Sequence, residues 1–150
     1  MTYQSDKGGH SVRHRKRNRW LLAVGGLLLV LAIAIILYGS DYYHATQAAL
    51  DVSATPGVLK CDGGWAVGDP GAQSGLVFYP GGKVEARAYL PLLQRISQSG
   101  VFCALCEMPL NLAVLDINAA GRMIKQFPDV KRWFIGGHSL GGSMAAQYAS

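Results

Sequence analysis

The stretch Arg132-Trp133-Phe134-Ile135-Gly136-Gly137-His138-Ser139-Leu140-Gly141-Gly142 decides the fold of this 150-residue chain. Residues Arg132 to Gly136 carry a bulky apolar run, as a strand buried on both faces does. Ser139 to Ala149 then reads as the start of a helix of mostly small side chains. Between them, Gly137-His138-Ser139-Leu140-Gly141 is a G-x-S-x-G sequence. That spacing alone occurs by chance; its place between strand and helix gives it meaning. A serine on a sharp strand-to-helix turn needs a strained backbone. Glycines two residues to either side remove the side chains that would collide there. The turn lifts the Ser139 hydroxyl above the sheet and aims the Leu140 N–H at the place where an oxyanion would develop.

Working back from this motif, Leu76-Val77-Phe78-Tyr79 is another strand of the doubly buried kind, ended by Pro80-Gly81-Gly82-Lys83. A second oxyanion donor is needed, and an N–H from Gly81 or Gly82 is the candidate. The plainer alternative is that these two glycines only make a turn. Ala86, Tyr89, Leu90, Leu93 and Ile96 recur at helical spacing. Pro91 fits such a helix only in its first turn, so the regular part is expected from near Ala88, with Gly100 as its stop. Val101 to Cys106 is a further buried strand. Asp116 or Asn118 is expected to cap a helix running to about Gln126. Upstream, Val58–Cys61 and Trp65–Val67 flank Asp62-Gly63-Gly64 as a hairpin. Strand and helix alternate, which predicts an α/β domain: a mostly parallel sheet with helices on both faces.

With FYPGGKV, CEMPLNLAV and WFIGGHSLGG on the page, the chain resembles the α/β-hydrolase superfamily over roughly Val58 to Ser150, and is most similar to a bacterial, membrane-anchored branch. The specific parts of the resemblance are the PGGKV loop and GGHSLGG; the helices between are generic. The resemblance implies an esterase-like hydrolase working through an acyl-enzyme on Ser139, with Leu140 and Gly81 or Gly82 as oxyanion donors, a small acyl compound as substrate and no cofactor or metal. It names no substrate. A serine needs a base, and the family order is Ser, then Asp or Glu, then His. Leu140 to Ser150 contain neither acid nor histidine. The expectation is therefore the N-terminal part of an α/β-hydrolase fold, residues 55–150, whose acid and histidine lie further along a longer chain. His138 should point away from the hydroxyl beside it. Glu107 and Asp116, after the second buried strand, are read as capping or surface groups before site groups.

Other chemistries lack their residues. Gly81-Gly82-Lys83-Val84 has no glycine at Val77 and no Ser or Thr after the lysine, so it is no Walker loop. His44 has no second ligand at metal spacing. Cys103 and Cys106 stand three apart on a strand, so their side chains face opposite sides, and they are read with Cys61 as free thiols.

The charge lies at one end. Residues 1–19 hold Lys7, Arg13, Arg15, Lys16, Arg17 and Arg19 against Asp6, which accounts for the whole formal charge of +5. The rest is neutral, which argues against a nucleic-acid-binding face. Trp20 to Tyr38 is uncharged, and as a helix it spans about 28 Å, near the thickness of a bilayer's hydrocarbon. The basic flank precedes it, so the tail is expected in the cytoplasm and the domain outside, on a single-pass signal-anchor in the cell membrane. A cleaved signal peptide is the rival reading, although its apolar region is usually shorter. Residues 39–54 are read as a spacer. Two other readings stand beside hydrolysis: a non-catalytic, hydrolase-like binding module, and a protein whose role is assembly through its membrane helix. The last leaves GGHSLGG without a purpose.

Overall fold

The computed structural model describes the backbone of residues 9–150 and the side chains from residue 19 onward. The basic tail, apart from Arg19, is outside the described side chains. The chain divides into two compact units, Met1–Tyr38 and Gly39–Ser150.

Helix α1 (Gly9–Ser40) carries the apolar run. Within it, Arg19–Ser40 is 22 residues long with mean hydropathy 2.9, long and apolar enough to cross a membrane. Trp20, Leu22, Leu28 and Ile36 are all exposed along it, and the rows of i→i−4 hydrogen bonds in such a helix satisfy the backbone without water.

The second unit begins with α2 (Gln47–Val52), which Thr46 caps by accepting the Ala49 N–H. The segment expected as a spacer thus carries a helix of its own, and Ala45 and Ala49 are buried. Strands β1 (Val58–Cys61) and β2 (Gly64–Val67) form the expected hairpin. Then follow β3 (Ser74–Tyr79), a 3-10 turn at Ala86–Tyr89, α3 (Leu90–Ser97) and β4 (Val101–Cys106). Pro91 sits in the first turn of α3, where its missing N–H has no intrahelical partner to lose. After α4 (Ala119–Lys125) come β5 (Arg132–Gly137) and α5 (Leu140–Ala149).

The five strands form one sheet in the order β1-β2-β4-β3-β5. The pairs β3–β4 and β3–β5 are parallel, while β1–β2 and β2–β4 are antiparallel. This corrects the expected mostly parallel sheet to a mixed one: the hairpin folds back onto β4, and a strand joined by a tight turn can only return antiparallel.

Helices do cover both faces. On one side Val77, Tyr79, Ala104 and Cys106 pack with Ala120 and Met123 of α4 and Ala145 of α5. On the other, Phe78, Cys103 and Leu105 pack with Leu90 and Leu93 of α3. Alternate residues of each strand feed opposite cores, as the pleat requires. The cap expected for α4 differs in detail. Asn118 holds the N-cap position without a side-chain hydrogen bond, and the Asp116 carboxylate instead pairs with Arg122.

Candidate active site

The chain leaves β3 toward β4 on one side, then returns past β3 to place β5 on the other. Ligands of open α/β sheets gather outside the strand ends at such a reversal. Here the carboxyl ends of β3 and β5 are neighbours, with Tyr79 paired to Gly137. Both candidate loops, Pro80–Lys83 and His138–Ser139, start from that edge.

At Ser139 the backbone holds φ 50 and ψ −123, a conformation that costs a residue with a side chain about 1–3 kcal/mol. Close packing holds it there. A Cβ on Gly141 would stand 2.2 Å from the Pro80 carbonyl oxygen, and one on Gly137 would stand 2.6 Å from the Gly141 carbonyl carbon. Strand, elbow and helix can approach this closely only with hydrogen at both positions. Ser143 N–H donates to the Ser139 carbonyl (3.1 Å) and Gly141 N–H to that of His138 (2.9 Å), so α5 starts at once. Ser139 itself is exposed.

Gly82 lies against the helix start: the position of its missing Cβ is 3.1 Å from Leu140 Cδ2. Leu140 opens α5, where an N–H has no intrahelical acceptor. The two glycines of the loop differ. Gly81 N–H donates to the Tyr89 hydroxyl at 3.0 Å, whereas the Gly82 N–H has no acceptor among the described residues. The Tyr89 oxygen also lies 2.9 Å from His138 Nδ1. One phenol therefore ties the glycine loop to the residue before Ser139. The His138 ring points to this contact, as its position in the elbow predicts. Helical spacing marks Tyr89 as a packing residue and gives no sign of what its hydroxyl meets, 49 residues away in sequence. Behind the loop, Lys83 (φ 58) donates its N–H to the Asn111 carbonyl at 2.8 Å.

Glu107 and Asp116 are engaged elsewhere. Glu107 accepts from Trp65 Nε1 (2.8 Å) and pairs with Lys60 (2.5 Å), whose ammonium stands 5.0 Å from the Trp65 ring centre. Asp116 takes both guanidinium nitrogens of Arg122, and that hydrogen bonding holds the Arg122 pKa above its ordinary value. These groups line a cavity of about 370 Å³ with Asp62 and Met123. Neither Ser139, Leu140 nor Gly82 lines it, so its size does not make it the place of chemistry. His44 sits 3.7 Å from Glu85 and is largely exposed.

Neither a curated protein nor a solved structure matches this chain significantly. A model of the alpha/beta hydrolase family matches residues 75–150. That is half of the chain, from within β3 through the glycine loop and the elbow to the end of α5, and the chain belongs to this family.

Proposed function

We propose that the protein is an esterase-like serine hydrolase held to the cell membrane by α1, with residues 39–150 outside. The observation that carries this reading is the left-handed backbone of Ser139, packed between Gly137 and Gly141 at the sheet edge. In the reaction the Ser139 hydroxyl attacks an acyl carbon. The Leu140 and Gly82 N–H groups bind the oxygen as it gains charge. Gly81 holds the loop in place through Tyr89 rather than donating to the substrate. The ester C–O bond breaks and the alcohol leaves with a proton; water then cleaves the acyl-enzyme. The base is a histidine from outside residues 1–150, with an acid as its partner.

A fluorophosphonate probe should label the native protein, and Ser139→Ala should abolish both labelling and ester hydrolysis, the latter by about a thousandfold or more. Unchanged labelling in that variant would sink the reading. A second reading, the non-catalytic binding module, is favoured by the engagement of both described histidine side chains. His44 faces Glu85 and His138 faces Tyr89. In that case the wild-type protein takes no probe.

A further inference from the structure

The residues that leave α1 are built into the wall of the candidate site. Gly39, in the last turn of α1, packs against Leu110: its missing Cβ would stand 2.7 Å from Leu110 Cβ. Asp41 pairs with Lys83 at 3.0 Å. Tyr43 pairs with Val84 as a short parallel bridge; its N–H donates to the Lys83 carbonyl (2.7 Å) and its carbonyl accepts from Glu85 (2.9 Å). Ala45 N–H donates to the Glu85 carboxylate at 2.9 Å. Lys83 follows Gly82 directly. At about 3.8 Å per residue, this path puts Gly82 no more than about 20 Å from the end of α1.

A second feature covers the same ground. Met108-Pro109-Leu110-Asn111-Leu112-Ala113-Val114-Leu115 carries no charge. It runs from the end of α1, where Leu110 meets Gly39, to the glycine loop, where Leu112 Cδ2 is 3.8 Å from the missing Cβ of Gly82. Its backbone is held at φ 51 and 55 at Leu110 and Asn111. Val114 is 50% and Leu115 51% exposed. Exposed apolar side chains beside a membrane helix gain by entering the headgroup boundary, about 5–10 Å deep.

We propose that the substrate is a long-chain acyl ester of a membrane lipid, which reaches Ser139 from the bilayer along residues 108–115. This rests on the reading of Ser139 as the nucleophile and of α1 as the anchor. The loop lies in the interface, and the acyl chain follows its apolar surface to Gly82 and Leu140. Attack by the Ser139 oxygen breaks the lipid's ester bond. The lysolipid or glyceride alcohol leaves with the serine's proton, passed through the base. Water then releases the fatty acid.

The test uses the full-length protein in phosphatidylcholine vesicles. A bimane label at Leu115→Cys, in a Cys61→Ser background, should be quenched by brominated acyl chains, and a label at Asp129→Cys should not. A fluorogenic long-chain phosphatidylcholine in the vesicles and a soluble butyrate ester are compared as substrates. In Val114→Asp/Leu115→Asp, the ratio of lipid-ester to soluble-ester rate should fall at least tenfold, and in the milder Leu115→Ser by a smaller factor. An unchanged ratio, an unquenched label at 115, or a wild type that cleaves only the butyrate overturns the proposal while the nucleophile stands. Absence of both hydrolysis and probe labelling in the wild type overturns the hydrolase reading itself, and the proposal with it.

Discussion

Two residues carry more of the candidate site than their positions suggest. Gly141 faces two backbone carbonyls, so any side chain there must push β3 from α5. Gly141→Ala should therefore lower stability by about 3 kcal/mol or more, read as a shift in the chemical-denaturation midpoint. Tyr89 acts through its hydroxyl. It accepts the Gly81 N–H and contacts His138 Nδ1, and either tautomer of that histidine satisfies the contact. In Tyr89→Phe the ring keeps its place against Phe78, 5.1 Å away. The Gly81 N–H, in a buried residue, loses its acceptor, which costs about 1–3 kcal/mol. The freed loop should lower kcat more than it raises KM. Loss of stability with kcat intact would make Tyr89 a packing residue only.

The strands show how one element serves two cores. Cys103 packs with Leu90 and Leu93, and Cys106 with Tyr79 and Met123 on the opposite face. Both are free and buried. Burial pushes each thiol up to about 12, and it also raises that of the partly exposed Cys61. Thiols react as thiolates. Iodoacetamide at pH 8 should thus leave Cys103 and Cys106 untouched in the native protein and modify Cys61 slowly, while all three react in denaturant, as intact mass will show. Rapid loss of Cys103 or Cys106 would mean that β4 opens readily.

For the whole molecule, the junction between residues 41–45 and the glycine loop turns on Glu85. Its side chain accepts from Ala45 N–H and Arg87 and lies near His44. Desolvation by burial would raise its pKa, but the Ala45 and Arg87 hydrogen bonds outweigh it and hold the value below the ordinary 4.5. The folded form therefore binds this proton less readily than the unfolded chain does. Its contribution is present above about pH 4.5 and is lost as pH falls through the lower folded value. Glu85→Gln should lower stability at pH 7 by about 1–2 kcal/mol and weaken the acid dependence below pH 4.5, measured by denaturation in detergent micelles. An identical acid slope in the variant would move the dependence to other carboxylates.

What was legible in the sequence was local. The apolar run of α1, the hairpin around Asp62-Gly63-Gly64, the buried strands and the strand-to-helix turn at Ser139 all follow from neighbours within a few residues, where spacing and backbone sterics act. The tertiary structure decided what distant residues do to one another. It set the β4-β3-β5 order and the antiparallel pairing of β2 on β4. It gave the Gly81 N–H to Tyr89 and left the Gly82 N–H without an acceptor, although the two glycines are equivalent in the pattern. It turned Asp116 from a cap to a partner of Arg122 and laid residues 41–45 along the glycine loop. Periodicity reports which face a residue occupies; which group it meets across 40 residues depends on how the elements pack.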